Sequence, residues 1–207
     1  IMFSVIGFPS IAFVGYGLGF WAAPFFLRVH GVSASEAGIV LGLFAAIGGW
    51  AGVTLGGVLT DKLREKYVRG KFYVGMASVV LSTPAAIGLI ISENLFVAYV
   101  FNFIFALTSP MWIGPAASTV NDLVLPRMRA IASAFYILMV TFIGLALGPY
   151  TIGFISDAFT ASGTDSADAL RQAMLYATSM LGLALIMLYI ASTSVADEEA
   201  SRLDRAR

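Results

Sequence analysis

The sequence predicts an all-α polytopic membrane protein, a bundle of six transmembrane helices, and three observations carry that expectation. First, six apolar stretches occupy residues 2–27, 37–60, 72–91, 95–120, 131–155 and 169–192, separated by short polar hinges. About 20 apolar residues rising about 1.5 Å each cross a hydrocarbon core of roughly 30 Å. Second, 59% of the 207 residues are apolar and 12% are charged, a balance that a water-soluble domain could not cover with a polar surface. Third, the charges are segregated among the hinges. Helices follow because backbone polar groups must pair internally in lipid, and these stretches are too long for barrel strands.

Each element has its own local justification. The first stretch is too long for a signal-peptide core and five more follow it, so it reads as a true membrane helix. The chain opens at Ile1 inside apolar sequence, which predicts further sequence upstream. Ser33 and Glu36 have the spacing of a capping box ahead of the second helix. That helix carries Gly38, Gly42, Gly48, Gly49, Gly52, Gly56 and Gly57, a small-residue face suited to close packing or to sliding against another bundle. Ser92, Glu93 and Asn94 make a turn so tight that the third and fourth helices must be antiparallel neighbours. Pro126 keeps the fourth hinge from continuing as helix. In the fifth stretch Gly144, Gly148, Pro149 and Gly153 predict a bend. After the bundle of residues 1–192, the alternating charges from Asp197 onward predict a solvated tail over residues 193–207.

Ten of the twelve cations fall in the second hinge (Lys62, Arg64, Lys66, Arg69, Lys71), the fourth hinge (Arg127, Arg129) and the tail (Arg202, Arg205, Arg207). Arg28 and Arg171 lie on the other side. By the positive-inside rule both termini are cytoplasmic. These cations are interleaved with Asp61 and Glu65 and divided among hinges, which argues against a nucleic-acid surface. The absence of cysteine excludes disulfides and thiolate metal sites. His30, the single histidine, reads as a solvated hinge residue. There is no Ser/His/Asp set, no intramembrane pair of carboxylates and no glycine-rich phosphate loop followed by lysine. No catalytic residue, cofactor or metal is therefore expected, and the chain does not read as an enzyme. A channel would need rings of polar residues along its spans, and none is seen.

No Asp, Glu, Lys or Arg lies near the middle of any stretch. An ion-coupled carrier usually keeps an ionisable group there, so any coupling ion must titrate on another part of the protein. What the stretches offer is neutral: Tyr16, Phe20 and Trp21 on the first, Asn102, Ser109 and Trp112 on the fourth, Tyr136 and Thr141 on the fifth. Such a lining suits an apolar chain or a polar neutral group. Trp21 and Tyr150 also fit an interfacial aromatic belt, and hydroxyl side chains also bond back to their own helix. Asn102 is the costliest of these groups to bury unpaired.

The string Gly57-Val58-Leu59-Thr60-Asp61-Lys62 resembles the G-x-x-x-D-[R/K] signature of the major facilitator superfamily, found between the second and third helices of a six-helix half. Arg64 stands where that family has a later glycine, Glu65 replaces a basic position, and Lys66 keeps another. Asp122, Pro126, Arg129 and Ala130 resemble the matching stretch at the start of the fifth helix. The resemblance implies a charge cluster at the cytoplasmic surface built on Gly57, Asp61, Lys62, Asp122 and Arg129, which latches two halves together.

The run from Gly15 to Trp21 with Pro24, then Asn121-Asp122-Leu123-Val124, Gly148-Pro149-Tyr150 and Gly153 to Asp157, is similar to the C-terminal half of spinster-type facilitators. What that implies is half of a twelve-helix fold in a bacterial inner membrane, an N-terminal half as partner, alternating access, and lysophospholipid or sphingoid substrates. It also implies protons coupled through an acid on the other half. Gly144 with Gly148-Pro149 and Gly153 also resembles the glycine-proline motif of drug/proton antiporters, which keeps drug efflux as the alternative.

Overall fold

The computed structural model describes the backbone of residues 2–67, 69–122 and 124–205, and side chains within residues 6–67, 69–122 and 124–193. Leu123 and the side chains expected to form the charged tail lie outside the described residues. Six helices or helix pairs are long and apolar enough to cross a membrane: Ile6–His30, Ala34–Lys66, Gly70–Ile91, Leu95–Asp122, Pro126–Ala161 and Ser166–Thr193. No strand occurs among the described residues.

The first span is α1 (Met2–His30) and ends at Gly31, whose φ of +67° is a left-handed conformation that costs glycine little. Ser33 caps α2 (Ala34–Lys66) by accepting the Glu36 N–H at 3.2 Å. Only half of the expected capping box forms. The Glu36 carboxylate instead accepts the Tyr99 hydroxyl at 3.2 Å and so ties α2 to the fourth span.

A second departure concerns the hinges. Asp61, Lys62, Arg64 and Lys66 are helical residues of α2 rather than loop residues. Apolar composition marks the lipid thickness, whereas backbone pairing continues until Tyr67 N–H closes on the Leu63 carbonyl at 2.8 Å. Arg28 and His30 likewise sit in the last turn of α1, where cations face the partial negative charge of the helix end.

α3 (Gly70–Ile91) and α4 (Leu95–Thr108) are antiparallel neighbours. Their turn is fixed by Asn94, whose side-chain oxygen accepts the N–H groups of Phe96 and Val97 at 3.0 and 3.2 Å. The fourth span then tightens into a 3₁₀ turn at Ser109–Trp112 before α5 (Ile113–Asp122). Pro110 and Pro115 deny that region two donors. The Ser78 hydroxyl of α3 donates to the carbonyls of Thr108 and Ser109, at 2.8 and 3.2 Å, where the helix tightens.

The glycine face of α2 divides in two. Gly48, Gly52 and Gly56 recur every four residues and lie against the main chain at Ala106, Leu107 and Met111. A Cβ at Gly52 or Gly56 would overlap the carbonyl oxygen of Leu107 or Met111, so close packing is the use made of these three. At Gly38, Gly42, Gly49 and Gly57 an added Cβ would meet nothing within 4 Å.

After a 3₁₀ turn at Pro126–Met128, the fifth span runs as α6 (Arg129–Met139), a widened π-type stretch (Val140–Leu147) and α7 (Gly148–Ala161). Pro149 falls at the start of α7. The π stretch opens the helix where the proline ring would otherwise collide with the preceding turn. The sixth span is α8 (Ser166–Thr178) and α9 (Met180–Arg205). It breaks at Ser179, whose hydroxyl bonds back to the Tyr176 carbonyl at 2.6 Å. The helical backbone runs on through residues expected to be tail.

The core lies among the first, third and sixth spans. Phe8, at its centre, stacks on both Phe72 and Trp112, with ring centroids 6.4 and 6.2 Å apart. The most apolar windows of the first and third spans are 56% buried, against 11% for the second and fifth. The second and fifth spans thus present the unpartnered faces of the bundle.

Candidate substrate cavity and charge cluster

Small residues on the first span create space beside it. Gly15, Gly19 and Ala22 face Leu41 and Ala45 of α2 and Asn102 and Phe105 of α4 across a cavity of about 240 Å³. A second cavity of about 390 Å³ is bounded by Asn121, Ser133, Tyr136 and Thr141. Tyr16, Trp112 and Ile113 line both, so the two spaces meet at an aromatic partition near the middle of α1. No charged side chain lines either one.

Of the residues singled out by sequence, Tyr16, Asn102, Ser109 and Trp112 line the first cavity, while Tyr16, Trp112, Tyr136 and Thr141 line the second. Asn102 is 8% exposed and Tyr136 9%. The Tyr136 hydroxyl is buried and has no hydrogen-bond partner among the described residues. Phe20 and Trp21 are not among the lining residues of either cavity. Phe20 is exposed on the outside of α1. Trp21 turns to the fifth span, where its indole N–H donates to the Pro149 carbonyl oxygen at 2.8 Å. Its ring packs 5.8 Å from the Arg28 guanidinium. Sequence reasoning passed over Asn121 and Ser133 as lining residues. Their signal was a pair of small polar groups flanking the fourth hinge, joined in the fold by a 3.5 Å hydrogen bond.

The bend residues form a seam with the first span. Positions for side chains at Gly144, Gly148 and Gly153 are taken by Ala12, by the Phe13 carbonyl and by the Trp21 ring respectively. The glycines expected at a bend are therefore contact points.

The charge cluster differs from the one the resemblance implied. Asp122 pairs with Arg64 at 2.9 Å and with Lys71 at 3.5 Å, and it accepts the Ser118 hydroxyl at 3.3 Å. Asp61, Lys62 and Arg129 are exposed and enter no salt bridge among the described residues. The physical reason is position along α2. Arg64 lies nearly one turn beyond Asp61 and reaches the end of α5, and it is the residue that replaces the family's glycine. Lys71 is 2% exposed, so its pairing is the more costly of the two to break, whereas Arg64 is exposed to water. Gly57 keeps a packing role, with its main chain against Gly114.

A bundle of six apolar helices with a neutral split cavity and a charge cluster at one end is the architecture of a half facilitator. No family model matches the chain. It is 27% identical over 179 residues to an MFS-type efflux pump of Mycolicibacterium smegmatis, covering 86% of this chain and 41% of the pump. It is 32% identical over 173 residues to mouse protein spinster homolog 1, covering 77% of this chain and 33% of that protein. The crystal structure of a bacterial homologue of the human lysosomal transporter spinster, inward-facing and occupied, superposes with a TM-score of 0.80. There the identity is 26%, covering 95% of this chain and 50% of that one. The chain spans about a third to two fifths of the length of these curated relatives. It belongs to the major facilitator superfamily as a six-helix half, and it resembles the spinster proteins.

Proposed function

We propose that this chain is the C-terminal half of a secondary transporter working by alternating access, and that its substrate is a lysophospholipid or sphingoid-type lipid. The observation that carries this reading is the pair of cavities meeting at Tyr16, Trp112 and Ile113, lined by apolar and neutral polar groups and by no charge. Such a lining accepts an acyl chain with a polar end and offers an inorganic ion nothing to pair with. The resemblance to spinster-type facilitators implies the same substrate class, and the chain is similar to spinster proteins in sequence and fold.

An N-terminal half would cover the bare faces of the second and fifth spans, complete the cavity and carry the proton-coupling acid. Both termini and the Asp122 cluster would then be cytoplasmic, by the segregation of positive charge, in a bacterial inner membrane. The Asp122–Lys71–Arg64 cluster would bias the cycle by holding the ends of α2, α3 and α5 together in one of its two states. Asp61, Lys62 and Arg129, exposed at the same end, and half-buried Gly57 would meet the other half.

Drug/proton antiport is the second reading, favoured by the likeness to an efflux pump. The test uses vesicles holding the full-length protein under an imposed proton gradient, with labelled lysophosphatidylcholine and, separately, a cationic dye. Gradient-dependent lysolipid movement is expected. Dye transport without lysolipid transport would replace the lipid reading with the antiporter.

A further inference from the structure

The second cavity holds a buried polar group that the fold leaves unanswered. Tyr136 is 9% exposed, and its hydroxyl has no partner among the described residues. Elsewhere buried hydroxyls are satisfied by main-chain carbonyls: Thr60 donates to the Gly56 carbonyl, Thr119 to Pro115, Thr178 to Met174 and Ser78, across to the fourth span, to Thr108. A buried phenol hydroxyl without a partner is destabilising, and phenylalanine would fill the same volume without that cost. The neighbouring polar edge is already engaged in part, since the Ser133 hydroxyl donates to the Asn121 side-chain oxygen at 3.5 Å and the Asn121 amide donates to the Ala117 carbonyl at 3.0 Å.

We infer that the Tyr136 hydroxyl is the hydrogen-bond anchor for the substrate's polar head group, which occupies the second cavity while the acyl chain passes Tyr16 and Trp112 into the first. This rests on the lipid-transport reading above and adds a head-group class to it. Neither cavity has an ionisable lining residue apart from the two tyrosines. A head group with net charge would sit there without a counter-ion, whereas a zwitterionic or uncharged one that accepts a hydrogen bond would not. The first cavity suits the chain because Ala12, Gly15, Gly19, Ala22, Ala45 and Ala106 give it a smooth wall.

The experiment measures binding of radiolabelled lysophosphatidylcholine, of lysophosphatidic acid with the same acyl chain, and of a cationic dye to the purified full-length transporter and its Tyr136→Phe variant, together with their melting temperatures. The wild type should prefer the zwitterion to the anion. Tyr136→Phe should weaken lysophosphatidylcholine binding about ten-fold, the scale of one hydrogen bond to a charged acceptor, leave the dye unchanged, and melt at the same temperature or higher. Unchanged lysophosphatidylcholine affinity in the variant would overturn the head-group assignment alone. So would a melting temperature lowered by several degrees, which would mean that a side chain of the other half holds the hydroxyl. Failure of the wild type to bind any lysolipid would instead bring down the lipid reading and this inference together.

Discussion

The indole N–H of Trp21 reaches the main-chain carbonyl oxygen of Pro149 across 2.8 Å and so fastens the first span to the fifth just beyond the widened π stretch. Around this bond Gly153 lies under the Trp21 ring, and Gly148 lies against the Phe13 carbonyl. The seam is thus held by main-chain proximity plus one side-chain donor. Trp21→Phe keeps an aromatic ring but removes the donor. The expected cost is about 1 kcal/mol for a neutral hydrogen bond, with more from the lost ring area. A lower melting temperature in detergent checks it, and an unchanged one would show that the bond contributes nothing.

The glycines of α2 make a paired test of which face packs. Gly52→Ala places a methyl on the Leu107 carbonyl, and the resulting shift of one helix against the other should cost about 1–3 kcal/mol. Gly42→Ala meets nothing within 4 Å and should be neutral or stabilising by about 0.5–1 kcal/mol, because alanine favours helix over glycine. Melting temperatures of the two variants should move in opposite directions. Similar losses at both positions would mean that the whole small-residue face is covered in the full protein.

At the charged end Arg64 and Lys71 should prove unequal partners of Asp122. Asp122→Asn takes from the ammonium of Lys71, 2% exposed, the carboxylate that lies 3.5 Å away, and about 3 kcal/mol of stability should go with it. Arg64→Ala removes a guanidinium that is 53% exposed and should cost less than about 1 kcal/mol. Raising the salt concentration should narrow the small Arg64 effect and leave the Asp122 effect nearly intact, since buried pairs are poorly screened. Chemical or thermal denaturation at two ionic strengths checks both.

How much of this was legible beforehand depended on the range over which each feature is decided. The six spans were, because about 20 consecutive apolar residues mark a crossing wherever the neighbours lie, and the turn at Asn94 was, because a cap acts within three residues. The partner of Asp122 was not. Asp61 and Arg64 are three residues apart on α2, so less than one helical turn decides which of them meets α5, and spacing alone does not resolve that. Trp21 was read as a cavity or belt residue because nothing in its neighbourhood announces Pro149, 128 residues away. The pairing exists only because the glycines of the fifth span allow the two backbones to approach.

Asn102 offers the sharpest test of the first cavity. Its side chain is 8% exposed, lines the cavity, and forms no hydrogen bond with the described residues. Asn102→Leu therefore removes a polar group without breaking a protein contact, and it exchanges a costly amide for apolar volume of similar reach. The full-length protein should keep its melting temperature or gain slightly. Because the ester that joins the acyl chain to the head group is the expected partner of the amide, affinity for lysolipid should fall about five- to ten-fold, the loss of one hydrogen bond of about 1 kcal/mol or a little more. Stability and affinity moving in opposite directions is the signature of a binding group. If the leucine variant is destabilised and binds as before, the amide serves the packing of α4 against the other half, and the first cavity holds its ligand by shape alone.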